Sequence, residues 1–94
     1  MKITITESQS REIEIPPFFK RVDRLDSYVM LLEKSFILVE DRPLKNDSFV
    51  FPKIEVMDNF YLSIYCSNGV IPISEAEFKN AYIRTSLTME KLLN

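Results

Sequence analysis

The chain is predicted to fold as an α+β protein, a largely antiparallel sheet of five or six strands with one C-terminal helix packed on one face. Three observations predict it. Short runs of alternating or continuous apolar residues recur up to Cys66, polar or proline-bearing breaks separate them, and one strongly signalled helix begins at Ser74. At 94 residues the chain fits one domain, 1–94, because a second core would leave each half below the size that burial alone sustains.

The elements follow in order. Lys2 to Thr6 (KITIT) sets Ile3 and Ile5 opposite Thr4 and Thr6, and Arg11 to Ile15 (REIEI) sets Ile13 and Ile15 opposite Glu12 and Glu14. This is the period of half-buried strands. The polar linker Glu7-Ser8-Gln9-Ser10 has hairpin length, so antiparallel pairing is expected, and Pro16-Pro17 stops the second strand. Phe18 to Ser27 (FFKRVDRLDS) mixes aromatics with both charges and reads as a strand continuation or a structured loop.

Tyr28 to Glu40 (YVMLLEKSFILVE) is apolar on both faces, which fits a buried helix from about Asp26 to Val39 as well as buried strands. Val29, Phe36, Ile37 and Val39 favour strand, and Glu33-Lys34-Ser35 is a compact polar break, so a hairpin is the preferred reading. Asp41 to Asp47 is a loop, within which Asn46-Asp47-Ser48 begins and matches a glycosylation pattern by coincidence. Phe49 to Val56 resumes alternation around Pro52, which cannot donate to a ladder and marks a sheet edge or bulge.

Met57-Asp58-Asn59 reads as a turn, Phe60 to Cys66 (FYLSIYC) as a strand, and Ser67-Asn68-Gly69 as a turn suited to a positive φ at the chain's single glycine. Ser74-Glu75-Ala76-Glu77 is a capping box with Ile73 and Phe78 as its hydrophobic staple. Beyond it Phe78, Ala81, Tyr82, Thr85, Met89 and Leu92 share one helical stripe, while Thr85-Ser86-Leu87-Thr88 has weak helix propensity and is a place for a kink or fraying.

One helix covers one face of a sheet. The second apolar face of Tyr28 to Glu40 therefore needs another cover: the sheet curling on itself, the FFKRV segment folding across, or a second copy of the chain.

Composition narrows the chemistry. With 46% hydrophobic and 28% charged residues the chain has the balance of a folded soluble domain. No histidine is present, which removes the commonest neutral-pH base and metal ligand, together with triads and imidazole zinc sites. One glycine cannot build a Walker loop or a dinucleotide turn. Cys66 stands alone, so no intrachain disulfide forms, and its apolar neighbours point to an inert buried thiol. The acid pairs Glu12/Glu14, Asp23/Asp26, Glu40/Asp41 and Glu75/Glu77 are each explained by a strand face, a turn or a helix start. No catalytic residue, metal site or cofactor is expected. The N-terminus lacks a signal peptide's apolar segment and no run reaches membrane-span length, so a cytoplasmic protein is expected, without a membrane role.

The segment with most character is Phe18 to Arg24, where aromatics sit beside cations. Candidate partner-binding residues are Phe18, Phe19, Lys20, Arg21 and Arg24, with Tyr28 and Met30. The expected function is a small non-enzymatic interaction or regulatory module that contacts another protein or a second copy of itself. The alternative is a nucleic-acid-associated regulator using Phe18 to Arg24, which the net charge of −2 disfavours.

Overall fold

The computed structural model describes residues 1–5, 11–43 and 51–93. They form strands β1 (Lys2–Ile5), β2 (Arg11–Glu14), β3 (Phe18–Arg21), β4 (Ser27–Leu31), β5 (Ser35–Glu40), β6 (Lys53–Asp58) and β7 (Val70–Pro72), and helices α1 (Leu62–Cys66) and α2 (Glu75–Glu90). β1 and β2 pair antiparallel, with Ile3 opposite Ile13, as a ribbon of their own. The other five strands make one antiparallel sheet in the order β6-β5-β4-β3-β7. The α+β prediction is thus met, with five strands in the main sheet and α2 on one face.

Tyr28 to Glu40 is a hairpin and not a helix, and its two-sided greasiness has a direct cause. β4 and β5 lie inside the sheet, so both faces of each are buried by alternation. Val29, Phe36 and Leu38 point to one side with Phe19, and meet Ile5, Ile15, Leu62 and Cys66. Tyr28, Met30, Ile37 and Val39 point to the other with Phe18 and Ile54, and meet Phe78, Ala81 and Ile73. The cover of the second face is therefore the β1–β2 ribbon together with α1. None of the three expected covers supplies it, and a second copy is not needed to shelter this hairpin.

Four local expectations need correction. Phe60 to Cys66 is a 3₁₀ turn (Asn59–Tyr61) followed by α1. Any period-two run also contains i, i+4 pairs; here Leu62 and Cys66 form the buried pair while Phe60 and Ile64 stay exposed. The Asp58 carboxylate accepts the Phe60 N–H at 2.8 Å and starts the turn. β6 begins at Lys53, after Pro52, and runs through Met57 and Asp58, residues read as a turn. Phe49 and Val50, the 44–47 part of the predicted loop and the Asn46-Asp47-Ser48 pattern lie outside the described residues, as does the 7–10 linker. β7 was not anticipated: only three residues long and ending in Pro72, it exists because β3 offers it a ladder.

The turn before β7 needs its glycine. Gly69 has φ 102°, and an added Cβ would sit 3.3 Å from Val22 Cγ2. At the helix start the Ser74 hydroxyl accepts the Glu77 N–H at 3.0 Å, and Ile73 joins the Phe78 cluster as the staple requires. The Glu77 carboxylate, expected to bond back to the cap, is instead 3.2 Å from Lys20 Nζ. α2 continues unbroken through Thr85 to Thr88. On its stripe Phe78, Ala81 and Thr85 are buried, while Tyr82 and Leu92 are about half exposed.

Candidate functional site

The structure scatters the segment singled out by its aromatics and cations. Phe18 and Phe19 are successive strand residues and so enter opposite faces. Phe19 is fully buried with Phe36 and Leu38, and Phe18 lies under α2 with its ring 5.8 Å from that of Phe78. Tyr28 and Met30 fill the α2 face beside it. Lys20 is held between the Glu77 carboxylate and the Tyr28 ring, 5.8 Å from its centroid. Arg21 lies over the Tyr65 ring at 4.9 Å and reaches Asp23 at 3.1 Å. The Asn68 side-chain hydrogen bond at 2.9 Å, opposed by slight burial and aided by Arg21, holds the Asp23 carboxyl below its ordinary value. Arg24 is half exposed and lies 3.6 Å from Glu40. The phenylalanines thus serve the core, and each of the three cations has an acidic neighbour.

A second cluster gathers at the Glu40 end of the sheet. Glu40, only 5% exposed, ends β5 on the face covered by the β1–β2 ribbon. Its carboxylate pairs with Arg42, lies 3.6 Å from both Arg24 and Lys53, and accepts from Ser27 Oγ at 3.4 Å. Ser27 and Lys53 are its direct cross-strand neighbours on β4 and β6, so the register itself assembles the site. Burial would lower the Lys53 ammonium, but the Glu55 hydrogen bond and the Glu40 charge outweigh it and raise the group above its ordinary value. Arg42 also reaches Asp26 at 3.4 Å, and Asp41 bonds Arg84 of α2 at 2.9 Å, lifting that guanidinium against a small effect of burial. Signs are balanced and the carboxylate is enclosed, so the arrangement acts as a clamp joining β4, β5, β6 and the chain after β5.

The exposed counterpart is β6. The Asp41 N–H bonds to the Asp26 carbonyl and the Leu32 N–H to the Ser35 carbonyl, so Ser35, Ile37 and Val39 turn their backbone polar groups toward β4. Phe36, Leu38 and Glu40 then face β6, opposite Met57, Glu55 and Lys53. Ile54, Val56 and Asp58 are left with N–H and C=O pointing away from the sheet, and among the described residues no strand pairs with that edge.

Above this edge lies an apolar groove of about 380 Å³, lined by Ile54 of β6, Ser86, Met89 and Glu90 of α2, and Leu92 beyond it. α2 reaches it because the helix crosses the sheet from Phe18 to Ile54. Glu77 and Arg84, on one flank, are tied to Lys20 and Asp41. Ser86 and Glu90 occupy the opposite flank, which looks along the sheet toward the Met30, Ile37 and Val56 row. Val56, two residues from Ile54 on the same face, is 66% exposed.

The sequence marks this strand as an edge through Pro52 but singles out neither Ile54 nor Val56, and it places Met89 and Leu92 on the helical stripe without marking them as site residues. The available signal was the apolar alternation beside that proline, which needs the sheet order before it reads as a surface.

Cys66 is fully buried, and burial, slightly offset by Arg21, pushes its thiol up to about 12. No group of three or more acidic or cysteine side chains suited to a metal ion occurs among the described residues. No helix among them is long and apolar enough to cross a membrane.

Fold and surface together define a small α+β protein with an open strand edge beside a helix-walled groove. Comparison of the chain with protein-family models, curated proteins and solved structures finds no match in any of the three.

Proposed function

We propose that the protein is a non-enzymatic interaction module that binds through the outer edge of β6 and the groove between β6 and α2. The observation that carries this reading is Val56, an apolar residue 66% exposed in the middle of β6, whose outer edge pairs with no strand among the described residues, beside an apolar groove. An extended segment added to β6 would satisfy the outward groups of Ile54, Val56 and Asp58 by main-chain bonds, and would lay alternate side chains toward Ile54, Met89 and Leu92. Main-chain pairing supplies affinity and the groove supplies selectivity. A cytoplasmic setting belongs to the proposal, supported by a lone buried thiol that needs no oxidising compartment.

The Phe18 to Arg24 segment gives the nucleic-acid reading less support, since stacking on Phe18 or Phe19 would require opening the sheet.

The test is parallel capture from native-host extract with wild type and Val56→Lys as baits. The reading expects proteins held by wild type and released by the variant, with both baits equally folded by circular dichroism. Identical captured sets would overturn it.

A further inference from the structure

We infer that the segment added to β6 is the β6 of a second copy, joined antiparallel about a two-fold axis at Val56. This deepens the reading of β6 as the contact surface by naming its occupant.

The register follows from the strand. A two-fold axis perpendicular to a sheet keeps each face on its own side, so residues opposite one another across the seam share a face. Centring on Val56 sets Val56 against its copy and Ile54 against Asp58. These are the residues whose backbone groups point outward, and each such pair makes two N–H···O bonds, satisfying the exposed edge over its length.

Neighbouring registers are worse. Centring on Glu55 puts two carboxylates face to face and runs Asp58 against Pro52, which has no N–H. Centring on Met57 pushes Ile54 onto the 3₁₀ turn at Phe60 and shortens the ladder. In the Val56 register Glu55 faces Met57 and Lys53 faces Asn59, so no like charges oppose each other.

Three further features suit a copy of the same chain. β6 contains no proline, glycine or bulge among Lys53 to Asp58. Lys53 and Glu55 are 3.2 Å apart, so the charges flanking the seam already neutralise each other. The symmetry also places both α2 helices on the same side of a continuous sheet, with the two Ile54–Met89–Leu92 grooves flanking the Val56 pair. The exposed β-branched side chain thereby gains an apolar cross-strand partner.

Sedimentation equilibrium at micromolar concentrations and oxidative cross-linking of cysteine variants test the inference together. The expected result is a mass of twice 11.1 kDa for wild type and 11.1 kDa for a folded Val56→Lys. Val56→Cys should cross-link rapidly, because facing Cα atoms at about 5.5 Å lie within disulfide reach. Glu55→Cys, diagonal to its copy at about 7–8 Å, should not. A wild type that stays monomeric across the range overturns the second copy while leaving the edge reading to stand or fall by the capture experiment. A dimer that cross-links through Glu55→Cys, or survives Val56→Lys, overturns the seam.

Discussion

The two faces of the five-stranded sheet are built differently. The face under the β1–β2 ribbon carries the larger buried cluster: Phe19, Val29, Phe36 and Leu38 are fully buried against Ile5, Ile15, Leu62 and Cys66, with Ile3, Ile13, Leu31, Met57, Tyr65 and Val70 half-buried around them. The face under α2 has only Val39, Phe78 and Ala81 in its buried cluster, with Phe18, Tyr28, Met30, Ile37, Ile54 and Ile73 half-buried around them. A two-stranded ribbon plus a short helix can blanket a twisted sheet, whereas one helix covers a diagonal band and leaves ground on its flanks. Stability therefore concentrates on the ribbon face, and open apolar surface on the α2 face near β6.

The largest expected effect tests that division. Phe36→Ala should lower unfolding stability by about 4 kcal/mol, because the cavity it leaves is walled on all sides. Phe78→Ala, on the looser face, should cost less, since α2 can settle toward the sheet. Urea unfolding of the two variants measures the contrast, and equal losses would erase it.

Next comes the clamp at the sheet end. Glu40→Gln should cost about 3 kcal/mol by leaving the well-covered Arg42 guanidinium without its main carboxylate. Arg24→Ala, removing a half-exposed partner 3.6 Å away, should change stability by less than about 1 kcal/mol. Thermal melts of both decide whether Glu40 and Arg42 form the heart of the cluster.

A smaller effect of opposite sign is expected under α2. Thr85 is fully buried and its hydroxyl finds no hydrogen-bond partner among the described residues. Thr85→Val keeps the shape and removes that unsatisfied group, so it should stabilise the protein by about 1 kcal/mol in urea titrations.

The last probes the ribbon face through pH. The Cys66 thiol is pushed up to about 12 from an ordinary value of 9.0, so the native state holds the proton more tightly than the unfolded chain. Its contribution is complete below pH 9.0 and is lost as pH rises toward about 12. The stability gap between wild type and Cys66→Ala should narrow over that window, and native Cys66 should resist thiol reagents at neutral pH.

Much of this was legible in the sequence. β1, β2, the β4–β5 hairpin and the capped start of α2 follow from period, breaks and caps. α1 was not, because Leu62 and Cys66 satisfy two periods at once, and only packing against β1 selects the helical one. The cover of the second face was visible as two amphipathic strands, yet strand amphipathicity does not say where the apolar side docks. The aromatic and basic cluster divides for a related reason: Phe18 and Phe19 are adjacent in sequence, and a strand sends adjacent residues to opposite layers. Val56 became a candidate only once the order of strands placed it at an edge.

Residue-resolved amide exchange along β6, followed from dilute to concentrated protein, tests most directly whether the sheet faces are sheltered internally while this edge stays open. At the dilute end Glu55 and Met57, bonded inward to β5, should exchange slowly and Ile54, Val56 and Asp58 fast, and the fast set should become protected as concentration rises. Equal protection of all five amides at high dilution, or outer amides indifferent to concentration, would contradict the account.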